Sequence, residues 1–226
     1  MHIGMIGGIG PAATEFYYRN LIKAHRSSGT GKQLELTICH AEAGDLIRNI
    51  QAGSLDDQVR IFEIFANRLK AAGADFLAVT SIAGHFCISE LEAVSPIPVI
   101  NALSALERML SEGGYRRVGI LGNKVVMETR LFESFQNIEI VVPSGESLSA
   151  VHEAYMSIAM SGTVTKEQRH TIFQAGAEMR EKQGAENIVL AGTDLFVAFD
   201  QQECGFDYID SALVHIEAIH RASLRE

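Results

Sequence analysis

ADFLAVTSIAGHF, residues 74–86, is an apolar run that opens into small and hydroxyl residues and then a histidine. Phe76 to Val79 are continuously apolar, the pattern of a strand buried on both faces of a parallel sheet. In an open α/β sheet, the residues just beyond the carboxyl end of such a strand face the ligand crevice. Thr80, Ser81 and His85 therefore head the candidate functional residues, as the lining of a pocket or as a nucleophile and its base. A serine nucleophile needs a histidine held by a carboxylate. His85 lies one helical turn beyond Ser81, which equally suits a cap on that turn, and no GxSxG elbow surrounds the serine.

Working outward, apolar runs alternate with amphipathic stretches from end to end. Strands are predicted at 2–7, 34–40, 75–80, 97–101, 117–122, 138–143, 187–192 and 206–210. In DDQVRIFEIFANRLKAAG (56–73), Val59, Ile61, Phe62, Phe65, Leu69 and Ala72 fall on one helical face, and Gly73 takes the terminal glycine position. Such alternation means βα units and parallel sheets. The chain also repeats itself. GADFLAVTS (73–81) matches GAENIVLAG (184–192), pairing Asp75 with Glu186 and Ser81 with Gly192, and IGMIGG (3–8) matches VGILGN (118–123). These offsets, 111 residues (73 to 184) and 115 residues (3 to 118), are too long for a solenoid. They predict an α/β fold of two pseudo-symmetric parallel-sheet domains facing each other across a central cleft. The first domain is expected at 1–101 plus 208–226 and the second at 102–207.

The 226 residues are 47% hydrophobic and 21% charged, enough to bury a full core. A formal charge of −9 repels phosphate on average, which argues against nucleic-acid or anionic-membrane partners. The start, MHIGMIGGIG, lacks the basic flank and long apolar run of a signal peptide, and no stretch reaches a membrane span. Cys39, Cys87 and Cys204 are odd in number and widely spaced, so neither a disulfide framework nor a zinc site is expected. These features predict a cytoplasmic protein.

GGIGPAAT (7–14) follows the first strand and opens a helix. Gly8-x-Gly10-x-x-Ala13 satisfies the permissive dinucleotide fingerprint. The acidic partner of that fingerprint belongs roughly 20 residues on, yet the second strand ends later, near His40 and Glu42. Pro11 suits the first helical position, and the helix start offers free N–H groups to a carboxylate. Dinucleotide, small anion and purely structural turn all remain readings of this loop. His152 and His220 fall on polar helical faces and are expected to be solvated, while His215 and Glu217 follow the last strand in either a ligand-facing or a structural role.

Together, GGIGPAAT, ADFLAVTSIAGHF, GILGNKVVMETRLF (119–132), GAENIVLAGTDL (184–195) and IDSALVHIEA (209–218) resemble the aspartate/glutamate racemase family, in its order and spacing. These are cofactor-independent (PLP-independent) isomerases, so the resemblance implies two facing α/β domains, no cofactor and no metal. It also implies a small carboxylic or amino acid ligand and a homodimer. The family places one cysteine on each face of the substrate α-carbon, from a CNTxH motif and a GCTE motif, because a thiol ionises near neutrality when its surroundings help. On this alignment the two catalytic positions fall on Ser81 and Gly192. The Asn and Thr after the first cysteine become Ile82 and Ala83, and a threonine after the fifth strand's glycine becomes Asn123. The resemblance assigns ligand binding to Gly8, Ile9, Gly10, Thr80, Ser81, Asn123, Thr193 and Asp194, with Arg48 as a cation after the second strand. Missing thiols argue against two-cysteine racemisation. The alternatives are a non-catalytic ligand-binding protein, or a decarboxylase or isomerase on the same scaffold.

Overall fold

Pro11 to Ser27 and Leu55 to Ala71 are the two long helices that frame the quoted stretch in a computed structural model describing residues 1–128 and 130–225. Thr129, within one of the quoted segments, and Glu226 lie outside the described residues. The chain divides into two compact units, Met1–Ala102 with Ala212–Glu226, and Leu103–Ser211.

The first unit runs β1 (Ile3–Gly7), α1 (Pro11–Ser27), β2 (Leu36–His40), α2 (Ala43–Ala52), α3 (Leu55–Ala71), β3 (Phe76–Val79), a 3-10 turn (Ala83–Cys87) and α4 (Ile88–Val94). Its sheet has the order β2-β1-β3, all parallel, with Ile6 opposite both Cys39 and Val79. β1 is buried along its whole length, as a central strand covered on both faces must be. The strand expected at 97–101 shrinks to one bridge, Leu77 to Val99. Pro96 and Pro98 carry no N–H for a ladder, so Pro98 only accepts from Leu77 (2.9 Å).

The second unit follows with α5 (Ala102–Glu112), β4 (Arg117–Leu121), α6 (Lys124–Met127), β5 (Glu139–Val141), α7 (Glu146–Ser161), α8 (Lys166–Gln183), β6 (Asn187–Leu190), α9 (Phe196–Phe199) and β7 (Tyr208–Asp210). The sheet order is β5-β4-β6-β7, again parallel throughout. The final helix, α10 (Ser211–Ser223), packs Ala212, Ile216, Ile219 and Ala222 with Ile3, Met5, Tyr17 and Leu21 in the first unit's core. The second core gathers Val151, Tyr155 and Ile158 of α7 with Ile172 and Met179 of α8 and the β6 residues Ile188 and Leu190.

α3 illustrates how sequence makes these elements. Asp56 and Asp57 occupy its first turn and Arg68 and Lys70 its last, matching the helix dipole. Val59, Phe62, Ala66 and Leu69 form its buried face. Ile61 and Phe65, expected there, are half-buried, and Ala72 is exposed, because it lies past the last helical residue where the chain turns.

The predicted repeat holds at atomic detail. Gly73 and Gly184 both follow their helices with positive φ (90° and 70°). Asp75 then accepts the His2 N–H (2.6 Å), as Glu186 accepts those of Arg116 (2.7 Å) and Arg117 (3.4 Å). Each carboxylate pins the start of the neighbouring central strand, β1 or β4.

Candidate ligand-binding strand ends

In the first unit, Gly8, Ile9 and Gly10 form the turn from β1 into α1. Gly8 has φ of 87°, and a Cβ there would sit 2.5 Å from the Ala41 carbonyl and from His40 Nδ1, so only glycine fits. Thr14, one turn into α1, sets the loop's shape. Its Oγ1 accepts the Gly8 N–H (2.8 Å), donates to the Gly10 carbonyl (3.2 Å) and lies 3.4 Å from Thr80 Oγ1. Thr80 in turn donates to the Ile6 carbonyl (3.3 Å), and the loop is thereby joined to the end of β3. Pro11 opens α1 as expected, and Gly10 is its N-cap. Thr14 stood inside the quoted motif without a role. Its signal was a hydroxyl four residues past a glycine cap.

Ser81 follows two residues after β3 and is nearly buried. Its hydroxyl accepts the Gly84 N–H (3.2 Å), which shapes the 3-10 turn. His85 is fixed through both ring nitrogens. The Ala102 N–H donates to Nε2 (3.1 Å), so the proton rests on Nδ1, which donates to the Ser81 carbonyl (2.7 Å). Burial pulls this imidazole down to about 4. The second fully buried ring, His215 of α10, packs edge-on against it at 5.8 Å. Its Nε2–H donates to the Ile100 carbonyl (2.8 Å) and its Nδ1 accepts from the Tyr17 hydroxyl (3.0 Å). Burial and the neighbouring His85 pull it down to about 3. Both rings are neutral ties among α1, α10, the segment before α5 and the end of β3. Neither holds a lone pair toward the Ser81 hydroxyl. His85 thus takes the capping role.

The second unit's strand ends carry Asn123, Gly192, Thr193 and Asp194. Asn123 follows β4 by two residues, and its side chain caps α6 by accepting the Val126 N–H (2.9 Å). Gly192 follows β6 by two residues, the place Ser81 holds after β3. Its backbone is outside the left-handed region, so conformation does not demand glycine. Space does. A Cβ there would stand 2.2 Å from Cε2 and 2.9 Å from Cζ of Tyr155. The Tyr155 hydroxyl donates to the buried Asp194 carboxylate (3.3 Å). Burial, reinforced by that carboxylate, pushes the phenol well above its ordinary value, so it stays un-ionised. Tyr155 carried no sequence signal. In SAVHEAYMSIAM it looks like one more apolar helix position.

The remaining candidates lie apart from this detail. Arg48 sits on α2 with its side chain exposed and paired to Asp45. His152, half-buried, accepts the Lys124 N–H through Nδ1 (3.1 Å). His220, expected in solvent, is 8% exposed and packs edge-on against His25 at 5.0 Å, because α10 turns that face inward. The three cysteines are free. Cys87 is buried, and its thiol is pushed up to about 12. Among the described residues, no group of three or more His, Cys, Asp or Glu is arranged to hold a metal ion, and no helix is long and apolar enough to cross a membrane.

The sequence pattern of the Asp/Glu/Hydantoin racemase family matches residues 6–219, nearly the whole chain. The chain belongs to that family. Solved structures share the fold of this racemase-family chain at low identity. A Yersinia pestis protein classed with the Asp/Glu racemases is 20% identical over all of both chains, with a TM-score of 0.86. An aspartate racemase homologue from Pyrococcus horikoshii is 23% identical over 99% of each chain, with a TM-score of 0.83. Glutamate racemase from Francisella tularensis, solved with D-glutamate, is 13% identical over 98% of this racemase-family chain and 80% of its own, with a TM-score of 0.64.

Proposed function

We propose that this chain binds a small carboxylic or amino acid at the carboxyl ends of its parallel strands and does not racemise it by a two-thiol route. The ligand set is Gly8, Ile9, Gly10, Thr80, Ser81, Asn123, Thr193 and Asp194, with Arg48 as the cation once it exchanges Asp45 for ligand. The family's thiol positions are taken as Ser81 and Gly192. The observation that carries the reading is His85: with Nε2 bonded to Ala102 and Nδ1 to the Ser81 carbonyl, it cannot serve the serine as a base. A serine hydroxyl without a base is a poor proton abstractor.

The test is deuterium wash-in at the α-carbon of L- and D-aspartate and L- and D-glutamate, followed by NMR in D2O. No exchange above the uncatalysed rate is expected, while at least one acid among these, malonate and succinate raises the thermal midpoint. Ready wash-in sinks the proposal. Consumption of an acid without α-proton exchange identifies a decarboxylase or other isomerase, and a midpoint shift without turnover identifies a binding protein. The same reading makes the protein a cytoplasmic homodimer, and a monomer mass by light scattering at micromolar concentration overturns the dimer.

A further inference from the structure

We propose that Tyr155 determines what the end of β6 can do. Its ring occupies the place of the side chain that Gly192 lacks, and its phenol holds the Asp194 carboxylate, so a fixed hydrogen-bonding wall stands where a proton-transferring group would reach. This rests on the reading of the β6 end as part of the ligand site.

The argument starts from the glycine. Its φ does not demand glycine, and the three atoms nearest an ideal Cβ all belong to the Tyr155 ring, the closest at 2.2 Å. The intruding atoms, Cε2, Cδ2 and Cζ, belong to a rigid ring held in the α7–α8 core with Leu190 and Met179. Such a ring cannot step aside as the end of a flexible chain does. Positions 155 and 192 therefore share one volume. The hydroxyl at the far end of the ring reaches Asp194, two residues beyond the glycine. One side chain on α7 thus sets both the space and the polar group at this strand end. Tyr155 acts on the ligand through Asp194 and is a positioning residue.

Thermal midpoints of Gly192→Cys, Tyr155→Ala and the double variant test the shared volume. Gly192→Cys alone is expected to lower the midpoint by roughly 5 °C, the scale of overpacking in a chain of this size. In the double variant the loss is smaller than the sum of the two single losses, by at least about 3 °C. Additive losses overturn the proposal. Tyr155→Phe keeps the ring and removes only the hydroxyl. It is expected to hold the midpoint within about 3 °C. The midpoint rise given by whichever of aspartate, glutamate, malonate or succinate acts on the unaltered protein should fall at least twofold. An unchanged rise in both Tyr155→Phe and Tyr155→Ala shows that the residue only fills the core, and overturns its positioning role. If none of these acids acts on the unaltered protein, the proposed ligand class fails instead, and the cycle between 155 and 192 alone decides this inference.

Discussion

After β3 the polypeptide offers Ser81, a side chain whose hydroxyl is already bound to Gly84 and whose carbonyl anchors a neutral histidine. After β6, at the matching place, it offers bare backbone with a tyrosine ring pressed against it. The two units share the order of three strands, β2-β1-β3 and β5-β4-β6, with parallel pairing, glycine-ended helices and a carboxylate that pins each central strand, and the second adds β7. They differ in how each strand end is stabilised. The first unit uses buried imidazoles fixed as neutral tautomers, and the second uses a phenol and a carboxylate. A duplicated scaffold preserves register and backbone contacts, because those are set by the pleat. The side chains that fill its ends are free to diverge, and they decide the chemistry.

The largest expected consequence of this difference is in acid. Among the described residues, the buried histidines His25, His85, His215 and His220 all belong to the first unit. His85 and His215 have folded values of about 4 and about 3, below the usual 6.5 or so of an unfolded chain. His25 is lowered too, by burial first and by His220 second. As pH falls below about 6.5, the unfolded chain takes up protons that the folded unit refuses. Stability is therefore complete above that pH and declines toward pH 4, by on the order of 1 kcal/mol per pH unit for each fully buried ring. Hydrogen exchange followed by mass spectrometry at pH 7 and pH 5 should show protection falling faster in β1 and β3 than in β4 and β6. Equal loss in both sheets would break the comparison. A His215→Phe variant should be less stable at pH 7 and show a flatter decline.

The next pair of effects compares Gly8 with Asn123, which the repeat of IGMIGG (3–8) in VGILGN (118–123) pairs at the ends of β1 and β4. Gly8→Ala forces a side chain into φ of 87° and against the Ala41 carbonyl, and should cost roughly 2–4 kcal/mol. Asn123→Ala removes the cap on Val126 and should cost about 1 kcal/mol. Urea denaturation measures both. Reversal of that order would mean that the first loop yields more readily than its packing indicates.

How much of this was legible beforehand follows the same division. Strand positions, the glycine-ended helices and the 111-residue repeat came from apolar runs and turn residues, which are local signals. Asp75 and Glu186 were paired by pattern, and they do the same work. The segment at 97–101 keeps only one bridge because its apolar residues suit a strand while Pro98, and Pro96 just before it, have no N–H to donate to a ladder. At the site, Ser81 and Gly192 were visible through family spacing, but Tyr155 was not. Its effect depends on α7 reaching the end of β6, a contact of residues 37 apart in the chain (155 to 192) that leaves no periodic trace. His220 was misjudged for a related reason, since a helix late in the chain packs into the first unit's core.

The smallest expected effect on stability concerns Arg48, and it sharpens the first unit's role in binding. Its side chain is 70% exposed and its partner Asp45 lies three residues before it on the same helix. Exposed pairs of this kind contribute about 0–1 kcal/mol, so Arg48→Ala should leave the urea midpoint almost unchanged. Binding is a separate matter. If Arg48 exchanges Asp45 for the carboxylate of a bound acid, its loss removes a charge-assisted contact and weakens affinity roughly tenfold. Asp45→Asn then gives the opposite result, because the arginine no longer has to leave a competing carboxylate. Calorimetric titration of both variants with the acid that stabilises the unaltered protein reads the two effects directly. Affinity unchanged in both variants removes Arg48 from the ligand set and leaves the first unit's contribution to the Gly8–Gly10 loop, Thr80 and Ser81.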